Sequence, residues 1–281
     1  MISYQTLTET NIETLHEAFI EAFSDYQVKI DLPFWKFQQM LQRRGYRPEI
    51  SIGAFDDEHL VGFSLSGARD WNGSPTAYDV ATGVLPACRR QGITSQVFLH
   101  IKDLLKEHQV GRYMLEVIQT NRPAVQLYQK QGFTIQREFS CYRIQKSAFT
   151  VRELQPIERV EEINFAQVQK FWDFAPSWQN SCDSIRAIPE AFACFEARID
   201  HRLAGYGVIE KRTGDIPQLA VDRGDRNTGV AGSLLSAMIR DTEADTLSIL
   251  NVEAQQEPMN HFLTHSGFNH LVDQYEMILE L

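Results

Sequence analysis

Cysteine is scarce in this chain. Four occur in 281 residues (Cys88, Cys141, Cys182, Cys194), with no C-x-x-C pair and no histidine at zinc-finger spacing. In a chain this long they read as small buried apolar side chains in a reducing compartment, so neither a disulfide framework nor a metal site is expected. His261 and His265 form an i, i+4 pair without a third ligand. Long apolar runs are missing as well: no stretch approaches the roughly 18–20 residues that span a bilayer. Met1–Thr6 shows no basic start leading into an apolar stretch, so no secretory signal is expected. Excess basic charge is lacking too, with 27 Lys and Arg against 37 Asp and Glu, a net charge of −10. That balance argues against nucleic acid, whose backbone demands clustered cations. A cytoplasmic protein with neither nucleic acid nor membrane as partner is the expectation, and a homodimer is compatible with it.

What is present is ordinary globular composition, 43% apolar and 23% charged, enough for two domains that each bury a core. The charge is uneven. Residues 1–146 hold 16 basic and 16 acidic groups, which leaves 11 basic and 21 acidic groups in residues 147–281.

The chain also repeats itself, with three blocks recurring in order at an offset of about 140 residues. Phe55–Leu65 echoes Arg198–Val208, each a strand, a tight polar turn and a returning strand. Val84–Thr94 echoes Val221–Ala231, and Leu115–Phe133 echoes Leu250–Phe268. One whole domain is duplicated, which predicts domains at 1–146 and 147–281. In each half helices come first, then a hairpin, then strand–helix–strand–helix–strand. An α/β fold with a mixed sheet follows.

After Gly92, Val97, Phe98, Ile101, Leu104 and Leu105 follow helical spacing. Arg89-Arg90-Gln91-Gly92-Ile93-Thr94 therefore joins a strand to an amphipathic helix. Such a junction offers unpaired N–H groups at the positive end of a helix dipole, a natural anion site. By itself this segment reads equally well as a solvated arginine pair at a helix start. Asn121 can cap the next helix, and Ala124, Leu127 and Tyr128 share one of its faces.

Pro86-x-x-Arg89-x-x-Gly92 between strand and helix resembles the acyl-CoA diphosphate loop of the GNAT superfamily of N-acetyltransferases. Leu115-Glu116-Val117, then Asn121, Ala124, Tyr128 and Gly132-Phe133, resembles the second signature of the same family. With the echoes included, the resemblance covers nearly the whole chain as two GNAT-like domains in tandem, each a mixed, mostly antiparallel twisted sheet flanked by helices. Thr94 stands where the family prefers Gly or Ala. In the second copy Arg226–Ala231 fits the loop fully, but Leu263 replaces Tyr128 and Gln256 replaces Asn121, and Asp222 and Asp225 flank the loop. The first domain is therefore expected to be catalytic and the second degenerate, structural or substrate-shaping.

The resemblance implies acetyl-CoA as cosubstrate, direct transfer to a primary amine in a ternary complex, and Tyr128 as the acid that protonates the departing thiolate. A core tyrosine with a locally bonded hydroxyl is the plainer alternative. The resemblance further implies that Thr82, Gly83 and Val84 pair with the pantetheine arm. It places Arg89, Arg90, Gln91, Gly92, Ile93 and Thr94 on the diphosphate, and Asn121 near the cofactor as well as capping its helix. Glu116 and Asp79 are candidate bases, with structural hydrogen bonds as the alternative for each. Asp25 and Tyr26 are candidates for binding a cationic acceptor, a small molecule or a peptide amine, with a solvated loop as the plainer alternative. Pro176–Ser181 reads either as the wall of a substrate pocket or as a capped helix start with a buried Trp178. Two rivals stand beside this reading: a non-catalytic acyl-CoA sensor, and catalysis in the second domain.

Overall fold

The computed structural model describes residues 1–25 and 32–281. Two compact units emerge, Met1–Gln136 together with Glu276–Leu281, and Arg137–Tyr275. The first unit runs β1 (Ile2–Thr6), α1 (Ile12–Ala22), α2 (Phe34–Arg44), β2 (Ile52–Asp56), β3 (His59–Trp71), β4 (Ser74–Val84), α3 (Ile93–Glu107), β5 (Arg112–Ile118), α4 (Arg122–Lys130), and then the start of β6 (Thr134–Gln145). Its strands neighbour one another in the order β1-β2-β3-β4-β5. They pair antiparallel from β1 to β4 and parallel between β4 and β5.

The second unit continues with β7 (Ile157–Val160), α5 (Phe165–Val168), α6 (Cys182–Arg186), β8 (Phe192–Ile199), β9 (Arg202–Glu210), β10 (Gln218–Val221), α7 (Val230–Asp241), β11 (Thr246–Glu253), α8 (Glu257–His265) and β12 (Asn269–Glu280). Strands β10-β9-β8-β7 form one antiparallel sheet. β6 pairs antiparallel with β11 through Ile144↔Leu247 and Tyr142↔Ile249.

The duplication boundary at 146/147 and the division into compact units mark different things. Residues 137–145 lie in the second unit, because β6 finds its partner in β11. Residues 276–281 lie in the first, where the Leu281 amide donates to the Gly111 carbonyl at 3.0 Å.

The periodicities in the sequence account for the helices. Ile93, Val97, Phe98, Ile101 and Leu105 form the buried face of α3, while Leu104 is only half-buried. Each of those five contributes on the order of 1.5–3 kcal/mol of apolar burial. The two hairpins repeat a device. Both joints are tight, with Asp57 at φ +53° in the first, and Asp200 and His201 at +49° and +63° in the second. Each hairpin also slips register once, at Ala54/Phe55 and at Ala197/Arg198. Among the described residues no helix is long and apolar enough to cross a membrane.

Candidate functional site

In the first unit β4 and β5 pair only at Thr76↔Arg112, Ala77↔Tyr113 and Tyr78↔Met114. Beyond that point both strands run on, β4 to Val84 and β5 to Ile118, without a shared ladder. The two strands part there, and their unladdered edges offer backbone groups that a ligand can pair with. β4 carries a bulge at the same place: its register against β3 jumps from Asp79↔Ser66 to Ala81↔Leu65, leaving Val80 as the extra residue. Arg44 at the end of α2 holds that bulge by donating from Nη1 to the Val80 carbonyl at 3.0 Å.

A buried polar network fills the bulge. The Thr82 hydroxyl lies 2.9 Å from both Asp79 carboxylate oxygens and 2.9 Å from Ser64 Oγ. Ser64 and Ser66 both meet the Tyr113 hydroxyl, at 3.0 and 2.9 Å. The Tyr128 hydroxyl neighbours Asp79 and favours its ionised form. Burial pushes the Asp79 carboxyl up to about 7, against the opposing pull of Thr82, Arg44, Tyr128 and Ser64. A buried carboxyl raised toward neutrality can hold or release a proton near pH 7, which suits acid–base work.

The Tyr128 ring is packed edge-on against Phe98 and Phe133, each at 5.7 Å between centroids. Thus Tyr128 has a core-packed ring and a hydroxyl aimed at a titrating carboxylate. Glu116 is placed differently. Its carboxylate neighbours the buried Tyr78 hydroxyl, apart from the hydrogen bonds that join Asp79 and Thr82.

Around the loop, Gly92 sits at φ +79° as the N-cap of α3, and a Cβ there would meet nothing within 4 Å. The cradle is open, and glycine is needed for its backbone conformation. Ile93 turns its side chain into the core, so only its backbone faces the loop. Gln91 is exposed, and the Thr94 hydroxyl makes no hydrogen bond among the described residues.

Arg89 does not present its charge to the cradle. Its guanidinium grips Asp25 at 2.6 and 2.7 Å, the Ala22 carbonyl at 2.8 Å and the Val84 carbonyl at 3.2 Å. That grip ties the end of α1 to the end of β4, and it holds the Asp25 carboxyl below its ordinary range. It also engages Asp25 with a cation of the chain itself. Tyr26 lies outside the described residues. Arg90 is exposed, with its backbone at φ +62°.

Gly83 is packed tightly: a Cβ there would stand 2.8 Å from Phe63 Cζ and 3.0 Å from Ala22 Cβ. Its lack of a side chain serves close packing of β4 on β3 and α1. Asn121 caps α4, its Oδ1 accepting from the Ala124 amide at 3.4 Å. Arg44, Ser64 and Tyr113 are site residues that motif spacing does not reveal. A signal for one of them existed: Ser64 and Ser66 alternate with Phe63 and Leu65 in a buried strand, and so face one side together.

The second unit repeats the outline. Gly229 caps α7 at φ +90°, Asn227 matches Arg90 at φ +62°, and Arg226 turns back to the Val221 carbonyl as Arg89 does to Val84. β10 and β11 diverge past a single bridge at Asp215↔Ser248. Leu263 is fully buried at the Tyr128 position, and Gln256 makes no capping bond. Pro176–Ser181 takes the form of a capped helix start with a buried tryptophan. Trp178 is buried and Ser181 caps α6 at 3.2 Å, while Pro176 and Asn180 line a cavity.

Comparison with known proteins agrees with this geometry. Residues 12–133 match the model of the Acetyltransferase (GNAT) family. Streptothricin acetyltransferase of Streptomyces lavendulae is 33% identical over 87 residues, which are 31% of this chain and 44% of that protein. The chain thus spans less than half the length of that relative. A tandem GNAT protein from the clavulanic acid biosynthesis pathway superposes with a TM-score of 0.74, covering 100% of this chain and 98% of its own at 16% identity. A putative acetyltransferase from Pyrococcus horikoshii gives 0.72, covering 100% and 89% at 16% identity. A GCN5-related N-acetyltransferase from Sphaerobacter thermophilus gives 0.74, covering 99% and 95% at 12% identity. At these identities the three structures speak to the fold alone.

Proposed function

We propose that the first unit transfers an acetyl group from acetyl-CoA to a primary amine, since residues 12–133 match the model of the Acetyltransferase (GNAT) family and the chain has the fold of a tandem GNAT protein. The observation that carries this reading is the nearness of the Tyr128 hydroxyl to the buried Asp79 carboxylate at the point where β4 and β5 part. The open α3 amino end beside Gly92 would take the diphosphate, with Arg90, Gln91 and the backbone of Ile93 and Thr94 around it. The free edges of Thr82–Val84 and β5 would take the pantetheine arm, whose amide groups pair as a strand does.

The chemistry closes on these two side chains. An ammonium acceptor first loses one proton to solvent. The amine nitrogen then attacks the thioester carbonyl, and the C–S bond breaks with its electrons on sulfur. The surplus proton on nitrogen passes to the Asp79 carboxylate, while Tyr128 gives its proton to sulfur. Asp79 then restores the phenol, and an amide and a free thiol leave an unchanged protein. Direct transfer of this kind needs both substrates bound together, since no acetyl group rests on the chain.

A further feature supports an amine acceptor that carries positive charge. Residues 147–281 account for the whole net charge of −10, which raises the local concentration of cations. Likeness to streptothricin acetyltransferase makes streptothricin the first acceptor to assay.

The decisive experiment measures turnover and CoA affinity in Tyr128→Phe. Turnover should fall by about 10²-fold or more while calorimetric CoA affinity stays near wild type. Full activity in that variant would remove the acid role. CoA binding without thiol release over a panel of amines would favour the acyl-CoA sensor instead.

A further inference from the structure

Within the second unit lies a cavity of about 600 Å³, in the size range of small-molecule sites. It opens where β10 and β11 diverge, beneath the amino end of α7. Phe171, Trp172, Phe174, Met259 and Phe262 form much of its wall. Its floor is polar but internally answered. The Tyr206 hydroxyl accepts from Trp172 Nε1 and donates to Gln218 Oε1 at 2.7 Å, and Gln218 Nε2 donates to the Asn180 carbonyl at 2.7 Å.

The position corresponds to the parting of β4 and β5 in the first unit, yet the glycine-led loop above it is covered by the chain. Leu154 places Cδ1 and Cβ 2.7 and 2.8 Å from where a Gly229 Cβ would stand, whereas the same construction at Gly92 meets nothing within 4 Å. The segment that carries Leu154 is fastened along α7. Ser233 Oγ accepts from the amides of Leu154 and Gln155 at 3.0 and 3.1 Å, and Ser236 Oγ accepts from the Arg152 amide at 2.8 Å. Gln155 Nε2 donates to the Thr228 carbonyl of the loop itself at 2.9 Å.

Arg223 and Arg226 there are already paired, while Arg152, which also lines the cavity, makes no ion pair among the described residues. Asp173 pairs with Arg223 at 3.3 Å and Arg226 at 2.8 Å, and Asp225 pairs with Arg202 at 2.7 Å. A diphosphate would meet Leu154 over the loop glycine, and Arg223 and Arg226 are already held by Asp173. An uncharged aromatic molecule meets aromatic and thioether walls, where ring contacts and apolar burial both favour it.

We infer that the second unit holds a separate binding site for an uncharged, phosphate-free small molecule with an aromatic body, occupied independently of CoA. The inference does not require the first unit to catalyse anything.

The test follows N-phenyl-1-naphthylamine, an uncharged aromatic probe, by fluorescence and CoA by calorimetry on the full chain. The wild type should bind the probe saturably and one CoA per chain, with no competition between them. Ala231→Trp, which projects an indole into the cavity, should weaken the probe at least about tenfold and leave CoA binding intact. Phe174→Ala, a wall truncation, should weaken the probe similarly if Ala231→Trp fails to fold. Gly92→Glu should abolish CoA binding and spare the probe. Two CoA molecules per wild-type chain, displacement of the probe by CoA, absence of saturable probe binding, or indifference of the probe to both cavity variants would overturn the inference. Retention of CoA by Gly92→Glu with unchanged probe behaviour would count against the first-unit cradle and leave this site standing.

Discussion

Arg90 keeps a left-handed backbone, φ +62°, that an L side chain adopts at a cost of about 1–2 kcal/mol. Its counterpart Asn227 adopts the same angle with a residue that tolerates it. Replacing Arg90→Asn should therefore raise stability by roughly 0.5–1 kcal/mol in chemical denaturation. It should also weaken CoA binding several-fold and flatten its salt dependence, since Arg89 is committed to Asp25. Asp79 makes a second statement at this scale. Its carboxyl is raised to about 7 in the fold, against about 3.9 in an unfolded chain. The stability it contributes is complete below about pH 4 and is lost as pH rises through 7, because the ionised form must then stay buried. Asp79→Asn should remove that loss and stabilise the protein at pH 8 by roughly 1–3 kcal/mol. The same variant should abolish the limb of the kcat/KM profile near pH 7. In Tyr128→Phe the residual activity should show that limb displaced upward, because the phenol helps hold the carboxylate ionised.

Helix α4 shows how an element sets a side chain. Asn121 supplies its cap, Pro123 its first turn, and Tyr128 is its one buried residue, braced by Phe98 and Phe133. Asn121→Ala should cost about 1 kcal/mol of stability. Calorimetric melting together with turnover should show kcat falling while CoA affinity holds, because the cap lies one helix away from the cradle. The α3 and α7 amino ends make the complementary comparison. Both begin on a left-handed glycine, and only the neighbouring chain distinguishes an open cradle from a covered one.

At the scale of the whole molecule, the compact units do not follow the duplicated sequence. Glu276–Leu281, the end of the second copy, belongs to the first unit, where Met277 and Leu279 are buried. Removing Glu276–Leu281 should destabilise the first unit by roughly 3–6 kcal/mol, from two lost apolar side chains. Residues 1–146 expressed alone should show broadened melting and reduced CoA binding. A sharp wild-type transition in that fragment would contradict the assignment.

Sequence alone carried the duplication, the α/β class, the buried face of α3, the Asn121 cap and the glycine-led turn, because each rests on local spacing or a local backbone requirement. It also nominated Asp79 and Tyr128 separately. Only tertiary structure joined those two, since their meeting depends on a bulge in β4 and on two strands parting. Only tertiary structure turned Arg89 onto Asp25, packed Gly83 against Phe63 and laid Leu154 over Gly229. Contacts between residues far apart in the chain leave no periodicity to read, and they decide which of two similar loops stays open.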